Sequence, residues 1–122
     1  MHNPYQTYQE RAAQTASPGH LLLMLFDGAL RFSKEGILAI EKGDIPVSHA
    51  KINRVQDIIN ELIITLDREQ GGELAENLLL LYEYITRRLI EANVSKNSEI
   101  LKEVIGLLQE LREGFAGAAR QQ

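Results

Sequence analysis

The chain has 122 residues, of which 44% are hydrophobic and 25% charged, with no cysteine and a net charge of -4. The length suggests one domain with one core. Disulfides and thiolate metal sites are excluded, and the excess of clustered Lys and Arg with which a duplex nucleic-acid binder displaces counterions is missing.

The domain is expected to span 1–122, with an arm or short helix over 1–16 and a bundle over 17–119. The first ten residues carry no charged n-region followed by an apolar run, so they do not read as a signal peptide. The longest apolar run, Leu21 to Phe26, is far too short to span a bilayer. No membrane insertion is expected, and the expected location is the cytoplasm. Asn93-Val94-Ser95 fits the glycosylation sequon, but without a secretion signal it carries no meaning.

Ser17-Pro18 opens the first helix, with serine as cap and proline at a position that loses no hydrogen bond. This helix runs to Lys42, and Gly43 stops it. Pro46 opens the second, which Glu69-Gln70-Gly71-Gly72 ends. The third runs from about Glu73 to Ala92, ended by Asn93. Asn97 or Ser98 caps the fourth, which runs to about Ala118. Short connections favour antiparallel neighbours, so the fold class is all-α, an up-down four-helix bundle.

Helical periodicity assigns the faces. The second helix buries Ile52, Val55, Ile58, Ile59, Leu62, Ile63 and Leu66. The third buries Leu74, Leu78, Leu81, Tyr82, Ile85 and Leu89. On the first, Leu21, Leu22, Leu25, Ala29, Phe32 and Ile40 form one stripe, widened by Leu23, Phe26, Leu30 and Ile37. The fourth carries Leu101, Val104, Leu108, Leu111 and Phe115, widened by Ile100, Ile105 and Leu107. The first arc covers roughly 200°, about twice what a bundle helix needs. Either the surplus completes an irregular core, or it lies under the arm, in a homodimer interface, or in a groove for an amphipathic partner.

Groups that would carry catalysis are few. His2, His20 and His49 show neither Glu-x-x-His nor His-Glu-x-x-His spacing, which rules out the di-iron arrangement of some bundles. Gly71-Gly72 is not followed by the Gly-Lys-Ser/Thr of a phosphate loop. His20 and His49 each fall in the first turn of a helix, unlike the mid-helix histidine of a phosphotransfer bundle. The chain is therefore expected not to be an enzyme and to need no cofactor and no metal. Tyr5 and Tyr8 lie three apart, either as an amphipathic arm packed on the bundle or as a latch over a groove. Leu80 and Tyr84, beside Arg87 and Arg88, are either a contact patch on a nominally polar face or stray apolar residues of an ordinary surface.

Thr15-Ala16-Ser17-Pro18 followed by Leu22-Leu23-Met24-Leu25-Phe26-Asp27-Gly28-Ala29 resembles the opening of the FliS family of flagellar export chaperones. Leu66 to Ala75 resembles its central turn, and Asn77-Leu78, Leu81 to Ile85 and Arg87 to Asn93 its third helix. Glu103-Val104 and Leu107-Leu108 continue the likeness, which spans about Tyr5 to Phe115. Phe26 stands where the family usually has tyrosine, and Phe115 where it has tryptophan. Gly36, inside the first helix, is unexpected and costs about 1 kcal/mol relative to alanine unless a neighbour packs closely there. The resemblance implies a largely monomeric chaperone that wraps the disordered C-terminal segment of flagellin. It prevents early polymerisation and delivers the client to the cytoplasmic part of the flagellar export gate. The expected contacts are Tyr5, Tyr8, Leu21, Leu25, Leu80, Tyr84 and Leu107, with Arg87, Arg88 and Asn93 as polar anchors. A homodimeric bundle without a client is the alternative.

Overall fold

The computed structural model describes residues 17–120; the arm expected over 1–16, with Tyr5 and Tyr8, lies outside them. Four helices follow one another among the described residues: α1 (Pro18–Glu41), α2 (Ile45–Ile64), α3 (Arg68–Ser95) and α4 (Ser98–Arg120). α1 packs against α2 and α4, and α3 packs against the same two. This closed ring of neighbours is the expected four-helix bundle, with α1/α2 and α3/α4 as opposite seams.

The caps explain where the chain turns. Ser17 Oγ accepts a hydrogen bond from the His20 amide at 3.2 Å. At the far end of α1, Gly43 has φ +73. Its N–H donates to Ile40 O at 3.0 Å, while the Asp44 N–H reaches Ala39 O at 2.9 Å. That pair of bonds needs a left-handed residue, which glycine supplies without steric strain. Asp44 then caps α2 by accepting from the Val47 amide at 3.3 Å.

Two boundaries differ from expectation. α2 ends at Ile64 rather than at residues 69–72. Thr65 turns its hydroxyl back onto the carbonyls of Glu61 and Leu62, at 3.0 and 3.2 Å. Asp67 then starts a new turn by accepting from the Gln70 amide at 3.0 Å. The bend comes at Gly72 (φ 55, ψ -133), and Arg68 braces it by donating twice to Glu76 Oε1, at 3.1 and 3.0 Å. Gly71 is needed for a different reason: a Cβ there would sit 2.6 Å from that of Ala75. At its other end α3 runs past Asn93 to Ser95, because Lys96 takes the left-handed position (φ 51) that terminates it.

The core joins Phe26 and Ala29 of α1 to Ile52, Val55 and Ile59 of α2, Tyr82, Ile85 and Leu89 of α3, and Leu101, Val104 and Leu108 of α4. Burial pushes the Tyr82 phenol up to about 12. On α1 the buried face is centred on Phe26, Ala29, Leu30, Ser33, Gly36 and Ala39. The stripe expected to be central flanks it instead: Leu22, Leu25, Phe32 and Ile40 are half-buried, and Leu21 is exposed. Small residues hold the middle because α1 lies against α2 and α4 at once. A Cβ on Gly36 would stand 3.3 Å from Leu101 Cδ1 and 3.6 Å from Ile52 Cγ1, which is the close neighbour that this glycine required. Ser33 is fully buried, and its hydroxyl donates to Ala29 O at 2.7 Å.

Part of the apolar surplus completes the core, since Ile100 is buried and Ile105 half-buried. Ile58, Ile63, Leu66, Leu78 and Leu81 are only half-buried. Leu74, expected inside, is 66% exposed, because it lies just past the Gly72 bend at an open part of the α3/α4 seam.

Candidate functional site

The α3/α4 seam opens into an apolar groove of about 280 Å³, lined by Leu74 and Leu78 of α3 and by Glu110, Leu111, Gly114, Phe115 and Ala118 of α4. Phe115 is backed by α1, where Phe26 stacks on it with ring centroids 5.5 Å apart. The aromatic bulk of both residues is what makes that stack. Gly114 and Ala118 are short enough to leave the space between the leucines open. Arg112 fixes α4 to α1 through a two-pronged contact with Asp27. Hydrogen bonding from that guanidinium holds the Asp27 carboxyl below the ordinary aspartate value.

Further along the seam, polar contacts tie α3 to α4. Arg88 Nε donates to Glu103 Oε1 at 2.7 Å, and its Nη1 donates to Glu91 at 2.6 Å. The Tyr84 hydroxyl donates to Glu103 Oε2 at 3.1 Å. Chiefly through the Arg88 hydrogen bond, the Glu103 carboxyl is held below the ordinary glutamate value. Arg87 lies exposed with its guanidinium 5.9 Å from the Tyr84 ring centroid. Leu80, 65% exposed, lies on the outer face of α3 beside Arg87 and is not among the residues that line the groove. Leu107 lies one turn along α4 from Glu103 and is half-buried. Leu80 and Tyr84 are thus exposed apolar side chains on α3 that stand outside the lining of the groove.

The expected contact residues do not all converge. Tyr84, Arg88 and Leu107 lie along the α3/α4 seam, whereas Leu80 and Arg87 are exposed on the outer face of α3. Leu21 and Leu25 fall on the α1 stripe that continues through Gly28 and Phe32. That stripe faces α2, where a Cβ on Gly28 would meet Ile58 and where Lys51 approaches Phe32. The two leucines therefore lie on the opposite seam. Asn93 sits at the far end of α3, where its Nδ2 is 2.9 Å from His49 Nδ1 and its Oδ1 accepts from Lys96 Nζ at 2.6 Å. These bonds tie α3 to α2 and support the left-handed Lys96. The groove residues missed by periodicity were Leu74, Leu78, Leu111 and Phe115, all assigned to the core. The readable signal was the small pair Gly114 and Ala118 on the same face of α4.

Among the described residues no group of His, Asp and Glu could hold a metal ion, and no helix is long and apolar enough to cross a membrane.

Comparison with known proteins agrees over nearly the whole chain. The family model described as "Flagellar protein FliS" matches residues 1–122. The flagellar secretion chaperone FliS of Bacillus subtilis is 36% identical over 120 residues, covering 98% of this chain and 89% of its own. That of Salmonella typhimurium is 40% identical over 111 residues, covering 90% and 82%. A solved structure described as a flagellar chaperone from bacteria superposes with a TM-score of 0.82 at 17% identity, covering 97% of this chain and 96% of its own, which supports the fold. The chain belongs to the FliS family of flagellar proteins.

Proposed function

We propose that this protein is a cytoplasmic export chaperone that binds the disordered C-terminal segment of flagellin along the α3/α4 seam. It keeps that segment from polymerising and hands it to the cytoplasmic part of the flagellar export gate. The observation that carries this reading is the apolar groove between Leu74, Leu78, Leu111 and Phe115, with Leu80 and Tyr84 exposed further along α3. An open apolar groove suits a client that folds into helical pieces as it docks, through residues at i, i+3, i+4 and i+7. Ordering such a client commonly costs 2–5 kcal/mol or more, which a long interface offsets while leaving a complex that can be peeled off stepwise. The work is binding, so neither a catalytic group nor a cofactor takes part.

Residues 1–16, with Tyr5 and Tyr8, serve in this reading as a latch over the groove when no client is present. Ser17 caps α1 at the end of the bundle that carries Phe26 and Phe115. Removal of residues 1–16 is expected to raise hydrophobic-dye binding; an unchanged signal would refute the latch.

Calorimetric titration with the C-terminal ~40 residues of a flagellin tests the main reading. Saturable one-to-one binding with a large negative heat-capacity change is expected, from a protein that sediments mainly as a monomer. Absence of binding at tens of micromolar, with a dimer persisting on dilution, would replace the chaperone by a homodimer.

A further inference from the structure

Phe32 lies half-buried on α1, and three cations from two helices stand around its ring. The Arg31 guanidinium is 4.8 Å from the ring centroid, the Lys51 ammonium 5.4 Å and the Arg54 guanidinium 5.6 Å. Each attraction to the ring is modest, while like charges gathered this closely repel one another. Lys51 is partly neutralised by Glu35, whose Oε2 lies 3.4 Å away and makes no hydrogen bond. Arg31, Arg54 and, on the other side of the bundle, Arg87 have no carboxylate within ion-pair distance among the described residues, whereas Arg68 and Arg112 each hold one and Arg88 holds two. The contrast is notable in a chain with 17 acidic and 13 basic residues. A guanidinium lying against an aromatic face keeps its N–H edges for an outside acceptor.

We propose that the Phe32 patch on the α1/α2 seam docks an acidic segment of a partner protein. Arg31 and Arg54 take its carboxylates, and an apolar side chain between them rests on the exposed part of Phe32. Guanidinium forks match carboxylates in a bidentate geometry. The overall charge of -4 opposes a long polyanion or an anionic bilayer, which would meet the field of the whole surface. A short segment needs only the local field, within a Debye length of ~8 Å. The patch lies on the seam opposite the groove, so it can be filled whether or not the groove is, and its test does not depend on flagellin.

The test is fluorescence anisotropy with the full chain and a labelled peptide of about ten residues, in which paired glutamates flank a central leucine. Saturable binding that weakens with added salt is expected. The R31E/R54E variant should lose about tenfold or more in affinity. The R31Q/R54Q variant, which removes charge without adding repulsion, should also lose most of it. The R68E/K102E variant changes net charge equally at exposed positions elsewhere and should change affinity less than about twofold. Failure to saturate by about 1 mM peptide, an equal loss in R68E/K102E, or undiminished binding of a peptide with glutamines for glutamates would overturn the proposal. So would tighter binding of phosphatidylglycerol vesicles or a DNA duplex through the same two arginines.

Discussion

Replacing Leu74 by glutamate separates a binding surface from a core position. The side chain is 66% exposed, so most of its apolar area is available to a client. Full burial of a leucine is favourable by about 1.5–3 kcal/mol, and two thirds of that is ~1–2 kcal/mol. A carboxylate facing an apolar partner adds at least ~1 kcal/mol of desolvation. A total near 2 kcal/mol weakens the complex about 30-fold, while stability in urea changes by less than about 0.5 kcal/mol because the site is already wet. Leu80, 65% exposed, lies about 9 Å further along the helix. Leu80→Glu should act similarly, and the two losses should nearly add. Ile64→Glu, at 67% exposure on the end of α2, is the control and should leave affinity unchanged. Titration calorimetry with a flagellin tail and urea unfolding measure the two quantities. If Leu74→Glu bound its client within about twofold of the parent affinity, with stability intact, the groove would not be the client's path.

Gly36→Ala should be close to neutral, because the gain of about 1 kcal/mol in helix propensity is offset by the 3.3 Å approach to Leu101. Gly36→Val should lose about 2–3 kcal/mol by urea denaturation, since its extra methyls have no room. Lys96→Gly should raise stability by about 0.5–1 kcal/mol in thermal unfolding, because glycine takes the left-handed position (φ 51) without the strain a side chain incurs there. The carboxyls of Asp27 and Glu103 are held below their ordinary values by Arg112 and Arg88. The stability they lend is therefore present above the ordinary carboxylate range and lost as the pH falls below about 4. Asp27→Asn with Glu103→Gln should flatten that acid limb of the urea midpoint, and an unaltered limb would show that neither pair matters.

The helix count, the bundle class and the caps at Ser17 and Gly43 were legible because capping is local chemistry; the fourth helix left Asn97 and Ser98 open, and it is Asn97 Oδ1 that accepts from the Glu99 amide at 2.9 Å. Proline, glycine and short polar residues act on the backbone within a few positions. The end of α2 was less legible, since the visible glycine pair stands after a separate turn that Asp67 begins. Burial was legible only in part. A wheel weighs apolarity and ignores size, so it placed the large leucines of α1 at the centre, where Ala29, Ser33, Gly36 and Ala39 are. It also cannot say which neighbour covers a face, so Leu74, with a proper core spacing, was assigned to a core that stops short of it. The split of Leu21 and Leu25 from Leu80 and Tyr84 depends on the ring order of the helices, which no single helix encodes.

The narrow middle of α1 has a consequence for how the sequence can drift. At those positions volume, more than hydrophobicity, is the constrained quantity. A hydroxyl is admissible at Ser33 because the chain's own carbonyl satisfies it, whereas an isobutyl group in its place would push α2 and α4 apart. Related sequences are thus free to exchange Ala, Ser and Gly along this strip, and a profile built on hydropathy will score as variable a line that geometry keeps nearly fixed.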